Sequence, residues 1–402
     1  MRIPIIVCGI LCFLAAGPAS CHTWYIKADG TGDAPTIQAG IDSASARDTV
    51  LVAAGSYSES LVVDVEYLLV RGESGPGMTT LDGTGYENCV RILAHDVAIE
   101  GFTIANASRG VNADPERPAD TVVRNCIIEH NLGIGVLAVR NVSDNVIRNN
   151  WIGVVVADRV TGNEITDHSA TAVLYAEHVA DNLIARNVSR DWGEGHVSGT
   201  FDCKEVIGNW FEGNTWGAPI GSCNLVEKNT LIGNDGGILC VAYHYQVRYN
   251  LLVGNSGSGA IRILAEAEAV VEHNTIYANS GSGIEVAPWW DGEWYHPAPT
   301  IRNNLIVGNS YGIDNTSLAI EVYCNDVWDN DRGDYDGPIT RPTDISADPL
   351  FCDSDGGDFR LDCNSPCLPS AECDLIGALE MGCGGPSVTV PTTWGAIKSM
   401  YR

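Results

Sequence analysis

The chain has 402 residues, only 18% of them charged, with 23 Lys+Arg against 51 Asp+Glu and a net charge of −28. Such a surface repels phosphate backbones and anionic lipid heads, which argues against nucleic acid and acidic membranes as partners and suits neutral sugars or divalent cations. The 44 Gly and the regularly recurring Asn argue against a helical protein and for many short strands joined by tight turns.

Residues 1–20 carry Arg2, an apolar run from Ile3 to Ala16, and small residues at Gly17, Ala19 and Ser20. The run is short for a bilayer span and reads as an export signal, so the chain is expected to be secreted or held at the cell surface. Cys21 follows Pro18-Ala19-Ser20, an order that resembles a bacterial lipoprotein cleavage box with Pro18 where the box carries Leu. Lipid anchoring through Cys21 is therefore an open alternative to free secretion, and no integral membrane span is expected elsewhere. Of the 14 Cys, Cys8 and Cys12 fall in the signal and 12 remain. An even number in an exported chain predicts disulfides, with buried free thiols as the alternative. Five crowd the end, at Cys352, Cys363, Cys367, Cys373 and Cys383, and no CxxC pair points to zinc.

Residues 21–64 read as a cap, with a short helix from about Ile37 to Ala46. Residues 65–335 read as a repeat, clearest between residues 120 and 330, where one phrase recurs. Copies are Val226-Glu-Lys-Asn229-Thr-Leu231-Ile-Gly-Asn234 and Val247-Arg-Tyr-Asn250-Leu-Leu252-Val-Gly-Asn255. Anchored on the first Asn, the copies fall at Asn125, Asn145, Asn163, Asn187, Asn209, Asn229, Asn250, Asn274, Asn304 and Asn325. Three residues before each anchor stands Val or Ile: Val122, Val142, Val160, Ile184, Val206, Val226, Val247, Val271, Ile301 and Val322. Two after, every residue but Ser189 is apolar; five after, Asn dominates; eight after, Gly dominates. A coil of about 21 residues per turn explains this pattern. No single turn buries its apolar face, so turns stack at roughly 4.8 Å and bring like offsets together as aliphatic columns and Asn ladders. The leucine columns of leucine-rich repeats are missing, and the period is half that of a propeller blade.

These repeats resemble the right-handed parallel β-helix family, the pectin-lyase-like superfamily, across nearly the whole mature chain. The expected fold is all-β, a single-stranded right-handed parallel β-helix with an N-terminal helix cap and a Cys-rich C-terminal cap. Tyr25-Ile-Lys-Ala-Asp-Gly-Thr-Gly-Asp33, Thr36-Ile-Gln38 and Asp48-Thr-Val-Leu-Val52 resemble that family's amino-terminal cap. Asp348-Pro-Leu-Phe351, Phe359-Arg-Leu361 and Ile376-Gly-Ala378 resemble the closing segment of bacterial surface members, which places the second cap at residues 336–383. Residues 384–402 are a linker and tail that either resembles a bacterial sorting tag or packs on the cap. The superfamily includes pectate lyases, polygalacturonases, pectin methylesterases and alginate-type epimerases, but their catalytic motifs are absent; Gly195-His196-Val197 lacks the paired acids of polygalacturonases.

The segment from Asn187 to Lys204 breaks the repeat and is the candidate catalytic turn. Asp191, Glu194, His196 and Asp202 offer acids and bases for sugar chemistry, Lys204 or Arg190 a cation for a uronate, and Trp192 a stacking face. Alternatively, His196 is an internal histidine and Trp192 packs between turns. His178, Asp202 and His244 lie on nearby turns as a possible shared column. A second candidate is the loop Pro288 to Pro297, where Trp289, Trp290, Trp294 and Tyr295 either stack on sugar rings or cover the coil's flank. Two acidic runs, Asp329/Asp331/Asp334 and Asp353/Asp355/Asp358, resemble Ca²⁺ loops without the closing Glu; ordinary turns use the same residues. The chain is thus expected to recognise a polysaccharide or cell-surface glycan with no required cofactor, Ca²⁺ being the one candidate. A polysaccharide lyase, hydrolase or epimerase, and a purely structural or adhesive protein, are the alternatives.

Overall fold

A computed structural model describes residues 21–113, 120–189, 197–241 and 243–384. Each turn contributes three short strands, and strands of successive turns pair in parallel to build three faces. Face one includes Val122–Arg124, Asn141–Ser143 and Leu225–Glu227; face two includes Ile127–Glu129, Val146–Arg148 and Thr230–Ile232; face three includes Ile134–Leu137, Ala218–Gly221 and Ile238–Val241. Face two is a ladder of 13 strands. Faces one and three merge into a 26-stranded sheet because Ile152–Thr161 and Val173–Ala180 run through the bend between them unbroken.

A three-residue strand between two bends can bury only its middle side chain, which is why the sequence period appears as single inward columns. On face one the column is Val123, Val142, Val160, Val179, Val206, Val226, Val247, Val271, Ile301 and Val322. On face two it is Ile128, Ile147, Ile165, Ile184, Phe211, Leu231, Leu252, Ile276, Ile306 and Val327. All are buried.

This register corrects the sequence reading at two coils. Cys126 rather than Asn125, and Asn182 rather than Asn187, hold the first corner, so the inward residues are Val123 and Val179, not Val122 and Ile184. Ile184 belongs to face two, and the exception at Ser189 disappears. The irregular spacing collapses into steps of 19, 18 and 19 residues followed by one of 27 between Asn182 and Asn209. The ambiguity has a physical origin. Each corner needs a left-handed residue followed by an amide, and Asn serves in both places: φ is +50° at Asn125, +54° at Asn149 and +53° at Asn303.

Two amide ladders line the two corners that flank face two. In the first, each backbone N–H donates to the Oδ1 of the next coil's Asn, as Asn209 N does to Asn229 (2.9 Å) and Asn229 N to Asn250 (2.9 Å). Each Nδ2 donates to that same oxygen and to a face-one carbonyl, as Asn229 does to Val206 (2.8 Å). The ladder ends on a carboxylate, Asp344, which accepts from Asn325 and from the Tyr335 hydroxyl. The second ladder likewise ends on Asp334, which accepts from Asn330 Nδ2 at 3.0 Å.

His168 interrupts the second ladder. Its Nδ1 accepts from Asn150 N (3.2 Å) and its backbone N–H donates to Asn187 Oδ1 (3.1 Å), while Nε2 is buried without a hydrogen-bond partner. Burial pushes its pKa down from 6.5 to about 4, so the folded protein holds it neutral. The unfolded chain binds a proton that the folded one refuses, so its contribution is full above about pH 6.5 and is lost as pH falls toward 4. The loss is roughly 3 kcal/mol at the acid end. His168→Asn is expected to flatten that part of the stability profile, read by urea unfolding at pH 7, 5.5 and 4.5. Parallel profiles for both proteins would refute it.

The helix Ile37–Ser43 closes one end with Ile37 and Ile41 buried; Thr36 accepts from Ala39 N, and Glu59 accepts from the Ile37 and Gln38 N–H groups. It stops before Ala46 because Asp48 captures the Ser45 N–H at 2.8 Å. Coil strands already begin at Thr23, inside the segment read as the cap. At the other end, the small sheet of Phe351–Asp353, Asp358–Asp362 and Met381–Cys383 folds back onto the outer side of face two. It buries Leu361, Cys367 and Ile376 against Leu305 and Val307. Disulfides Cys324–Cys373 and Cys352–Cys383 staple it. Five other coil cysteines, Cys89, Cys126, Cys203, Cys223 and Cys240, are buried free thiols, as is Cys367 in the flank, and Cys363 beside it is a less buried free thiol.

Candidate functional site

A groove of about 730 Å³ crosses face three over the strands Ala218–Gly221, Ile238–Val241 and Gly259–Leu264. Small residues make its floor shallow-walled: Gly217, Ala218, Gly236, Gly237, Gly257 and Ser258 line it beside Ile238 and Leu239. One wall is Trp216, 70% exposed at the corner between faces two and three, in a left-handed conformation (φ +62°) with its backbone N–H on the Asp235 carboxylate at 3.2 Å. The opposite wall is Trp289.

Trp289 belongs to an antiparallel hairpin in which Trp289–Trp290 pair with Trp294–Tyr295 around Gly292 (φ +81°). Pro288 and Pro297 bracket it; neither offers an N–H to the parallel ladder, so the chain leaves the coil here. His296 ties its base to Ser317 at 2.8 Å. Trp290 and Trp294 meet edge to face at 5.1 Å and are 57% and 59% exposed. Trp290 and Trp294 thus project into solvent, while Trp289 and Tyr295 are half-buried.

The groove's polar groups are few. Arg262 Nε lies 2.7 Å from Glu285 Oε2, and Ser258 donates to the same oxygen at 2.7 Å. The outward column continues from Leu239 through Arg262 and Glu285 to Asp314 and Asp336 on successive coils. Burial, then the charges of Asp336 and Glu285, push the Asp314 carboxyl up.

Face one carries a second groove, about 720 Å³, lined by Lys204, Glu205, Asn224, His244, Gln246 and Glu268 among others. Its ionisable groups are paired: Lys204 with Glu177, His178 with Glu205 (2.9 Å) and His244 with Glu268 (3.0 Å). The Glu177 contact raises the Lys204 pKa, which fixes Lys204 as a cation and not a base. Asp202 sits exposed at the left-handed bend between faces three and one, two residues from Lys204. His178, Asp202 and His244 do not share a column. His178 stacks through Glu205 and Leu225 onto Gln246, two residues beyond His244. Arg190, Asp191, Trp192, Glu194 and His196 lie outside the described residues.

The acidic runs serve the fold. Asp329 supplies a left-handed corner (φ +52°), Asp331 N donates to Asn309 O, and Asp334 ends an amide ladder. Asp353 Oδ1 accepts from Gly356 N, Asp355 lies exposed in the same turn, and Asp358 holds Arg360 through both oxygens. Among the described residues, no three His, Cys, Asp or Glu come together as a metal site.

The family model for the right-handed β-helix region matches residues 156–327. The chain is a right-handed parallel β-helix protein. This β-helix is similar in fold to the PL6 family alginate lyase AlyGC, at 15% identity and a TM-score of 0.54 over 88% of this chain and 57% of that one. A single-residue variant of the same lyase gives 12% identity, a TM-score of 0.51 and coverage of 91% and 59%. The chain therefore spans under two thirds of that enzyme's length. The A-module of the Azotobacter vinelandii mannuronan C-5 epimerase AlgE4 matches at 15% identity and a TM-score of 0.45, over 78% and 95%. No curated protein matches the sequence.

Sequence reasoning found the hairpin but missed Trp216, Asp235, Arg262 and Glu285. The available signal was Trp216 two residues after a ladder Asn, where later coils carry Gly236 and Gly257.

Proposed function

We propose that this β-helix is an extracellular glycan-binding protein that holds a polysaccharide in the face-three groove, sugar rings stacking on Trp216 and Trp289. The supporting observation is that the exposed indole of Trp216 and the half-buried indole of Trp289 line one groove with a small-residue floor. Aromatic faces cover the apolar faces of pyranose rings, and the rigid coil holds both walls before the ligand arrives, which limits the entropy lost on binding. Two disulfides suit an oxidising, extracellular setting, and among the described residues no helix is long and apolar enough to cross a membrane. The fold is one that an alginate lyase uses, which favours an extended saccharide over a small metabolite. Trp216→Ala and Trp289→Ala are each expected to weaken polysaccharide binding about tenfold, equivalent to 1.4 kcal/mol, measured by calorimetry against a glycan panel. Wild-type affinity in both variants would sink the reading.

A second reading, polysaccharide cleavage or epimerisation at the face-one groove, is favoured by one observation: two carboxylate–imidazole pairs flank a fixed cation there. It predicts unsaturated products or new reducing ends from a polysaccharide panel. Turnover equal to that of His244→Ala would end it.

A further inference from the structure

We infer that the face-three groove selects glycans by charge, taking amino-sugar polysaccharide best, neutral polysaccharide less well, and rejecting polyuronates; this rests on the groove reading above. Among the described residues, the single cation lining the groove, Arg262, is already committed to Glu285 at 2.7 Å. Asp235 stands at the foot of the Trp216 wall, and the opposite hairpin carries Asp291 and Glu293. Beyond Glu285 the same outward column continues with Asp314 and Asp336, one coil apart in each case, and no basic residue intervenes. A saccharide that leaves the groove past Arg262 and continues across the coils of face three therefore meets Glu285, Asp314 and Asp336, one coil, about 4.8 Å, apart. The whole chain, at −28, adds a field of the same sign.

A uronate at every ring would set its carboxylates against this column, and the one cation among the described groove residues is already paired. An ammonium group at a ring carbon meets acceptors instead, while the indoles stack equally on either sugar. Charge thus decides between ligands that the aromatic walls treat alike. The selection is opposite to that demanded by alginate.

The test is calorimetry of the full mature protein with chitosan oligosaccharides, neutral β-glucan oligosaccharides and alginate oligosaccharides of matched length. The expected order is chitosan over glucan by at least fivefold, with the chitosan advantage shrinking as salt rises, and no saturable alginate binding. Glu285→Gln frees Arg262, and it should cut chitosan affinity at least fivefold and give measurable alginate binding; Asp235→Asn should lower chitosan affinity alone. Trp216→Ala should weaken chitosan and glucan by the same factor. Alginate bound as tightly as chitosan, or a chitosan-to-glucan ratio unmoved by both carboxylate variants, overturns the charge selection while the groove survives. Binding indifferent to both Trp216→Ala and Trp289→Ala overturns the groove reading, and the selection with it.

Discussion

Asn229→Ala is expected to cost about 3–5 kcal/mol of stability, far more than its side-chain size implies. Its Oδ1 accepts from Asn209 N (2.9 Å) and Asn209 Nδ2 (3.1 Å), and its Nδ2 donates to Val206 O (2.8 Å) and Asn250 Oδ1 (3.0 Å). All of these atoms are inside the coil, where water cannot replace the lost amide. Truncation leaves the Asn209 N–H without an acceptor and the Val206 carbonyl without that donor. Asn229→Asp should be at least as harmful, because it keeps the acceptor but buries a charge facing an acceptor, Asn250 Oδ1. The native carboxylates of this kind, Asp344 and Asp334, occur only at the ladder ends, where no further amide oxygen must be met. Urea unfolding of Asn229→Ala against Asn141→Ala, whose side chain faces outward on face one, isolates the effect. A difference below about 1 kcal/mol would mean that the ladder is decorative.

How much of this was legible follows from which constraints repeat. The coil was readable because stacking imposes the same demand at every turn, so Val206, Val226 and Val247 announce a column without any knowledge of contacts. The register failed at Asn125 and Asn187 because two corners and a left-handed position all select Asn, and only strand pairing separates them. The disulfide expectation held where chain outside the coil needed fastening, at Cys324–Cys373 and Cys352–Cys383. It failed inside the coil, where Cys126 takes the place of a ladder Asn and Cys89 is simply a small buried side chain. The groove was only half visible. The hairpin showed as an insertion, a departure from period, whereas Arg262 and Glu285 occupy ordinary outward strand positions that carry no signature until neighbouring coils are aligned.

The same logic sets a sharper demand at the start of face three, where a column of small residues packs beneath face two. Read across coils, it runs Gly153, Ala172, Gly199, Pro219, Gly237, Ala260, Gly283. Every residue bearing a Cβ has Gly on both sides. A Cβ added at Gly199 would lie 2.1 Å from the Pro219 carbonyl oxygen and 2.9 Å from Phe211, and one at Gly237 would lie 1.8 Å from the Ala260 carbonyl. The obstacle is backbone of the next coil, which cannot move without opening the ladder hydrogen bonds of both. Gly199→Ala is therefore expected to cost more than about 3 kcal/mol, at the upper end of overpacking effects. Ala172→Gly, its neighbour in the column, removes only one buried methyl and should cost roughly 1 kcal/mol. Thermal unfolding of the two single variants reads the asymmetry directly. Phe211→Leu added to Gly199→Ala should recover little, because it relieves the side-chain contact and leaves the carbonyl in place. Full recovery by Phe211→Leu would show that the core side chain, and not coil-to-coil backbone spacing, dictates the alternation.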